Sequence, residues 1–131
     1  MEVLVNRIDR EYFRYQKEYE KKAIEVLRSG WYVMGNELKQ FEAEFASYHN
    51  VKYCVGLASG LDALWLSFRV LGIGAGDEVI VPSNTYIASV MGVTINGASP
   101  VFVEPDETFN INVHGIEKKI TENTKAILEI I

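Results

Sequence analysis

The spacing of apolar residues changes near residue 50 of this chain. Before that point they recur every three or four positions, which predicts helices over residues 9–28 and 37–48. Gly30 ends the first helix, and Asn50, a residue that tolerates the left-handed conformation, follows the second. The first helix carries apolar side chains along one side: Tyr12, Tyr15, Tyr19, Ala23, Ile24 and Leu27.

Short apolar runs alternate with helical segments in the second part of the chain. The predicted strands are residues 53–58, 78–82, 100–104 and 125–131, and the predicted helices are 60–71, 84–96 and 113–120. Strands that are apolar on both faces and are separated by helices favour a mainly parallel sheet, so we predict a three-layer α/β/α fold. The last run ends at Ile131 without a turn signal, which predicts an end in the middle of a larger fold.

The corner between the first predicted strand and its helix is the strongest candidate for a binding site. Ser59 and Gly60 lie there, where free amides and the positive end of a helix dipole favour an anion such as phosphate. Ser59 is also a good N-cap, with Asp62 three residues later as in a capping box. The corner is thus a phosphate site or only a well-formed helix start. The charge of Asp62 counts against phosphate unless its carboxylate turns onto the cap.

Tyr86 follows the next strand and belongs to the same edge of the predicted sheet, where ligands of such folds bind. Its ring is predicted either to stack on a flat cofactor at the mouth of the crevice or to join the core. The glycines at 72, 74 and 76 follow a helix and precede a strand, which is the reverse of a dinucleotide-binding motif. We therefore predict a turn there, on the far edge of the sheet.

Composition narrows the function classes. The chain has 131 residues, enough for a domain with its own core, and its net charge of −5 argues against a nucleic-acid surface. Its one cysteine, Cys54, excludes an internal disulfide, and no signal peptide or membrane-spanning stretch is visible, so we predict a cytoplasmic protein. His49 and His114 stand alone, so no metal site is predicted.

Five ordered blocks of sequence resemble one known family. The blocks are 30–35, 41–45, 53–64, 76–88 and 97–106, and they are similar to the DegT/DnrJ/EryC1/StrS sugar aminotransferases over nearly the whole chain. The resemblance implies the N-terminal part of the large domain of a fold-type-I enzyme. Such an enzyme uses pyridoxal 5′-phosphate (PLP) to aminate a nucleotide-linked keto-sugar in deoxyamino-sugar or polysaccharide biosynthesis. It also implies glutamate as amino donor and a homodimer in which two subunits build each active site.

The resemblance implies cofactor-binding roles for four residues. Ser59, Gly60 and Leu61 match part of the phosphate cup, and Tyr86 matches the aromatic residue that stacks on the pyridine ring. The wording of the block around Ser59 is more similar to members that act at the sugar C3 carbon than to those that act at C4.

A loop rich in large apolar side chains is implied to lie near the active site. Its residues Trp31, Tyr32 and Gly35 are the candidates for substrate binding. We therefore predict two parts: residues 1–36, an N-terminal helix and active-site loop, and residues 37–131, an incomplete PLP-binding large domain.

The family's Schiff-base lysine, and the carboxylate that pairs with the pyridine nitrogen, are implied to lie beyond Ile131. None of the lysines of this chain matches the missing residue: Lys17, Lys21, Lys22, Lys39, Lys52, Lys118, Lys119 and Lys125. Because covalent catalysis needs an activated amine against the aldehyde, we predict no catalytic residue here and no transaminase activity for this chain alone. Two alternatives remain: a related sugar dehydratase in which the lysine is replaced, and a non-catalytic phosphate- or nucleotide-binding module.

Overall fold

The structure, a computed structural model, describes residues 6–129. The described residues group into two compact units, one ending at Gly56 and the other beginning at Leu57. The first unit is helical and the second is built on a sheet. The division predicted between residues 36 and 37 comes from the resemblance and stays a prediction.

The first unit contains three helices: α1 (Asp9–Arg14), α2 (Gln16–Ser29) and α3 (Asn36–Tyr48). The single helix predicted over 9–28 is interrupted at Tyr15, whose φ of −118° and ψ of 21° are not helical. Gly30 ends α2 in the left-handed conformation with a φ of 68°, as predicted. Asn50 does the same after α3, with a φ of 53°, and the next amide, of Val51, donates to the carbonyl of Ala46 at 2.9 Å.

The second unit alternates helices and strands. Its elements are α4 (Gly60–Val70), β1 (Glu78–Pro82), α5 (Ile87–Thr94), β2 (Ser99–Val103), α6 (Val113–Glu117) and β3 (Thr124–Ile127). The three strands are parallel in the order β2-β1-β3, and Ile80 pairs with Val101 on one side and Ile127 on the other. The parallel sheet is therefore confirmed, and β1 has the predicted bounds. The predicted final strand reached residues 130 and 131, which lie outside the described residues.

The sheet of the second unit has a core on each face. One cluster joins it to α4 and α5: Phe68, Ile73, Val79, Val81, Val93 and Ala98. The other lies on the opposite face, with Ile116 of α6 packed against it: Ile80, Val103 and Ile111. Successive residues of β1 alternate between the two clusters, as successive side chains of any strand point to opposite faces. Within this unit, the predicted three-layer α/β/α arrangement is confirmed.

Helices α4 and α5 approach each other closely. A Cβ placed on Gly92 of α5 would lie 2.7 Å from the Cβ of Leu64 on α4, so glycine is needed there. The side-chain amide of Asn96, just after α5, donates to the carbonyl of Trp65 at 2.8 Å and to that of Gly92 at 3.2 Å. Asn96 thereby ties the end of α5 to the middle of α4.

The strand predicted over residues 53–58 is wrong, because the structure shows no regular element there. A strand needs a neighbour with which to form ladder hydrogen bonds, and the described ladders join only β1, β2 and β3. The amide of Gly56 instead donates to the Glu42 carboxylate at 2.7 Å. Tyr53 and Val55 are 74% and 72% exposed, so this apolar run is not buried in the described chain.

The helix predicted over 84–96 begins later, at Ile87, because the amide of Thr85 donates to the carbonyl of Pro82 in a turn. Along residues 6–129, every helix is too short or too polar to cross a lipid bilayer.

Candidate functional site

Ser59, Gly60, Leu61 and Tyr86 surround one cavity of about 770 Å³ in the second unit. The structure therefore brings together the Ser59 corner and Tyr86, which the sequence had placed at the same edge of the sheet. The other lining residues were not predicted from the sequence: Leu64, Ile87, Ala88, Ser89, Met91, Leu128 and Glu129. Their positions carried a usable signal, since most lie in the first turns of α4 and α5 or directly after β3, at the carboxyl edge of the sheet.

The start of α4 leaves two amides free at this cavity. Ser59 is extended, its hydroxyl oxygen accepts the amide of Asp62 at 3.1 Å, and its carbonyl accepts the amide of Ala63 at 3.1 Å. The amides of Gly60 and Leu61 precede any possible intrahelical acceptor, and neither has another acceptor among residues 6–129. A Cβ on Gly60 would meet no heavy atom within 4 Å, so the space beside these donors is open. They are available to an anion.

Asp62 turns onto the cap, which reduces the cost of its negative charge near a phosphate. One carboxylate oxygen accepts the Ser59 hydroxyl at 2.8 Å, and the other accepts the indole N–H of Trp65 at 2.9 Å. The Trp65 and then the Ser59 hydrogen bond hold the pKa of Asp62 below its ordinary value. Within the described chain, Asp62 is not among the residues that line the cavity.

Tyr86 presents its ring to the cavity rather than to the core. It is the N-cap residue of α5 and is 77% exposed, so the alternative in which it belongs to the core is wrong. Its carbonyl accepts the amide of Ser89 at 3.0 Å. Ser89 is buried, and its hydroxyl accepts that of Thr85 at 2.7 Å, which fixes the backbone on both sides of Tyr86.

Trp31, Tyr32 and Gly35 lie together around a second cavity, of about 350 Å³, in the first unit. The loop is tied to α2, since the Trp31 amide donates to the Ser29 hydroxyl at 3.1 Å and the Tyr32 hydroxyl donates to the Leu27 carbonyl at 3.1 Å. A Cβ on Gly35 would lie 3.0 Å from the Trp31 carbonyl oxygen, so the loop folds tightly on itself. The substrate-binding role of these three residues stays a prediction.

The chemistry of the cavity in the second unit is that of binding. It combines two amides that have no acceptor in the described part of the chain with an exposed aromatic side chain and mostly apolar walls. This set suits a ligand that carries an anionic group and a flat ring. Over residues 6–129 the structure contains no group of three His, Cys, Asp or Glu side chains able to hold a metal ion.

Comparison with known proteins identifies the family. The profile of the DegT/DnrJ/EryC1/StrS aminotransferase family matches residues 14–130. The dTDP-3-amino-3,6-dideoxy-alpha-D-galactopyranose transaminase of Aneurinibacillus thermoaerophilus is 58% identical over 118 residues, which cover 89% of this chain and 32% of that protein.

Two solved structures share the fold. DesV of S. venezuelae, in complex with a ketimine intermediate, matches with a TM-score of 0.88 and 48% identity over 94% of this chain and 33% of that one. NtdA of Bacillus subtilis, with bound cofactor PMP (pyridoxamine 5′-phosphate), matches with a TM-score of 0.82 and 34% identity over 88% of this chain and 27% of that one. The chain spans about a third of the length of the curated relative named above. This chain belongs to the DegT/DnrJ/EryC1/StrS aminotransferase family.

Proposed function

We propose that this chain is the N-terminal portion of a PLP-dependent nucleotide-sugar aminotransferase and that the cavity at the start of α4 holds the cofactor. The observation that carries the proposal is the pair of amides, of Gly60 and Leu61, that have no acceptor among residues 6–129 and lie beside the exposed Tyr86. A phosphate is attracted to such amides by their hydrogen bonds and by the helix dipole. The relative from Bacillus subtilis, which has PMP bound, adds support for a cofactor of this type.

The residues present fit this cofactor. The amides of Gly60 and Leu61 supply donors to the phosphate, and the open space beside Gly60 leaves room for it. The Ser59 hydroxyl adds a third donor once its proton turns away from Asp62. Tyr86 supplies a ring face, and stacking on it adds about 0.5–1.5 kcal/mol beyond burial. When bound, the cofactor supplies an electron sink for the transfer of the amino group. The part of this chain is to bind the cofactor and to fix its orientation.

Binding of PMP to the 131-residue chain tests the site. PMP is the better probe because it carries no aldehyde that would react with surface lysines. We expect the amide NMR signals of Gly60 and Leu61 to move on titration with PMP but not with pyridoxamine, which has no phosphate. Loss of stacking makes Tyr86→Ala bind PMP about 2- to 10-fold more weakly. The matched control is Tyr48→Ala, since Tyr48 is 85% exposed in the first unit. Equal affinity of wild type and Tyr86→Ala would contradict the stacking role.

For the substrate, we propose a nucleotide-linked keto-sugar that is aminated at C3, with glutamate as the amino donor. The similarity to the Aneurinibacillus thermoaerophilus enzyme, whose name specifies a 3-amino sugar, supports this choice. Trp31, Tyr32 and Gly35 are proposed to contact the substrate in the complete protein. Comparison of 3-keto and 4-keto nucleotide sugars as substrates of the complete protein tests the proposal. A preference for the 4-keto sugar would refute it.

We also propose that this chain alone does not transaminate, because the resemblance assigns the Schiff-base lysine to a later part of the protein. The test incubates the chain with PLP, glutamate and a keto-sugar nucleotide and measures 2-oxoglutarate. We expect no product above the protein-free control, and product formation would refute the assignment. In the complete protein, a lysine at the expected position distinguishes the aminotransferase from the dehydratase alternative.

We propose a homodimer of the complete protein on the grounds of the resemblance, and a cytoplasmic location because the single cysteine suits a reducing compartment. Exposed apolar side chains in the first unit support association, because monomers rarely expose large apolar patches. They include Phe13, Trp31, Tyr32, Val33 and Met34. Sedimentation equilibrium of the complete protein tests the dimer. A monomer at micromolar concentration that binds a nucleotide tightly would instead favour the non-catalytic module.

A further inference from the structure

Trp65 and Asp62 form a hydrogen-bonded pair that is also bonded to Ser59. The Trp65 indole N–H donates to one oxygen of the Asp62 carboxylate at 2.9 Å, and the Ser59 hydroxyl donates to the other at 2.8 Å. Both side chains are half-buried on the first turns of α4, and neither lines the cavity as the structure describes it. The pair therefore lies next to the proposed phosphate site without being part of its surface.

The carboxylate of Asp62 competes for the same donors as a phosphate. It belongs to the first turn of α4, where the helix dipole attracts any anion toward the free amides of Gly60 and Leu61. Trp65 holds one of its oxygens through a charge-assisted hydrogen bond of 2.9 Å. Without that bond, only the Ser59 hydroxyl holds the carboxylate, and once that hydroxyl turns to a phosphate the carboxylate is free to turn toward the two amides and compete for them.

Asp62 also controls the direction of the Ser59 hydroxyl. That group has one proton, which it donates to Asp62, and it accepts the Asp62 amide at 3.1 Å. In this arrangement it offers only a lone pair to the cavity, which repels a phosphate oxygen. A phosphate gains this donor only when the proton turns away from Asp62, and Trp65 then remains as the partner of the carboxylate.

We propose that Trp65 is a positioning residue of the phosphate site, which acts by holding the Asp62 carboxylate away from the Gly60 and Leu61 amides. The inference rests on the proposed function, since it needs a phosphate at those amides. It also predicts that Asp62 limits the affinity. Asp62→Asn removes the charge, and the asparagine carbonyl oxygen still accepts the Trp65 indole N–H. The asparagine NH2 group donates to the Ser59 hydroxyl oxygen, so the Ser59 hydroxyl proton is free for phosphate.

A double-mutant cycle on the 131-residue chain tests the inference, with PMP and inorganic phosphate as the two probes. Trp65→Phe keeps an aromatic side chain and removes the N–H donor, and we expect it to weaken PMP binding about 3- to 10-fold. Asp62→Asn is expected to tighten binding about 3-fold or more. In the Asp62→Asn background, Trp65→Phe has no further effect, because no carboxylate is left to hold.

Equal weakening by Trp65→Phe in both backgrounds would refute the inference and would reduce Trp65 to a packing residue. Should Trp65→Phe fail to fold, the wild-type chain still decides through the NMR signal of the Trp65 indole N–H. On addition of PMP this signal is expected to stay in place while the Gly60 and Leu61 amide signals move. A shift of the indole signal to the position of a water-exposed tryptophan would refute the inference.

The two proposals fail in different ways. If PMP leaves the Gly60 and Leu61 amides of the wild-type chain unchanged, the proposed cofactor site is wrong, and the role of Trp65 is wrong with it. If PMP moves those amides but the cycle is additive, the site stands and only the role of Trp65 is wrong.

Discussion

Gly92 offers the sharpest test of how the second unit is held together. A Cβ at this position would lie 2.7 Å from the Cβ of Leu64 and 3.5 Å from the backbone nitrogen of Trp65. Neither atom is at the flexible end of a side chain, so Gly92→Ala must push α5 away from α4 by about 1 Å to restore an ordinary carbon contact. The hydrogen bond from Asn96 to the Trp65 carbonyl, now 2.8 Å, would lengthen with it.

The expected loss can be worked out from three contributions. Overpacking a well-packed contact costs about 1–3 kcal/mol. The weakened hydrogen bond of Asn96 adds about 0.5–1.5 kcal/mol. Alanine gains about 1 kcal/mol over glycine in a helix interior, which acts in the opposite direction. Gly92→Ala is therefore expected to lower the free energy of unfolding by about 0.5–3.5 kcal/mol.

Urea denaturation of the 131-residue chain, followed by far-UV circular dichroism and by tryptophan fluorescence, measures this loss. Gly60→Ala is the matched control for stability, because a Cβ there meets no heavy atom within 4 Å. It is expected to change the free energy of unfolding by less than about 0.5 kcal/mol. If Gly92→Ala were as stable as wild type, or more stable, helix propensity would outweigh the contact and the argument for a required close approach would be refuted.

Three further changes test other parts of the structure. Ile80 of β1 is fully buried in the core cluster against which Ile116 of α6 packs. In urea denaturation, Ile80→Ala is expected to lower the free energy of unfolding by about 2–5 kcal/mol, and a loss below about 1 kcal/mol would contradict the second core cluster. Asn96→Ala leaves the Trp65 carbonyl without its side-chain donor. We expect the free energy of unfolding to fall by about 1–2 kcal/mol, and an unchanged melting temperature would contradict the role of this hydrogen bond. Because the folded-state pKa of Asp62 is lowered, its stabilisation is complete above the ordinary aspartate pKa of about 3.9 and is lost as the pH falls through the lower folded value. Asp62→Asn should therefore flatten the acid dependence of stability between about pH 5 and about pH 2, and parallel curves for the two proteins would contradict the shift.

The sequence predicted best those elements whose signals are local. The strand over residues 78–82 has the predicted bounds because it is continuously apolar and is buried on both faces. The caps at Gly30 and Ser59 were also predicted, since each depends on the chemistry of one residue and its neighbours.

The strand predicted over residues 53–58 failed because apolar character predicts burial and not a partner. Its residues had the composition of a buried strand, but whether such a run becomes a strand depends on a neighbour that only the fold can supply. The exposure of Tyr86 could not be predicted for a similar reason, because the sequence does not show which residues pack against its ring. The hydrogen bond between Trp65 and Asp62 could have been predicted from the sequence, since the two residues are three positions apart on one helix.

The close contact between α4 and α5 joins the stability of the second unit to its candidate site. Leu64, which faces Gly92, also lines the cavity, and the first turns of the same two helices supply the amides of Gly60 and the ring of Tyr86. A change that separates the helices therefore widens the cavity between the proposed phosphate donors and the proposed stacking ring. Gly92→Ala is expected to weaken PMP binding even where the chain remains folded, whereas Ile80→Ala, on the opposite face of the sheet, should lower stability with little change in affinity for the folded chain. Equal losses of PMP affinity in the two variants, measured at a temperature where both are folded, would show that general loosening and not the spacing of α4 and α5 governs the site.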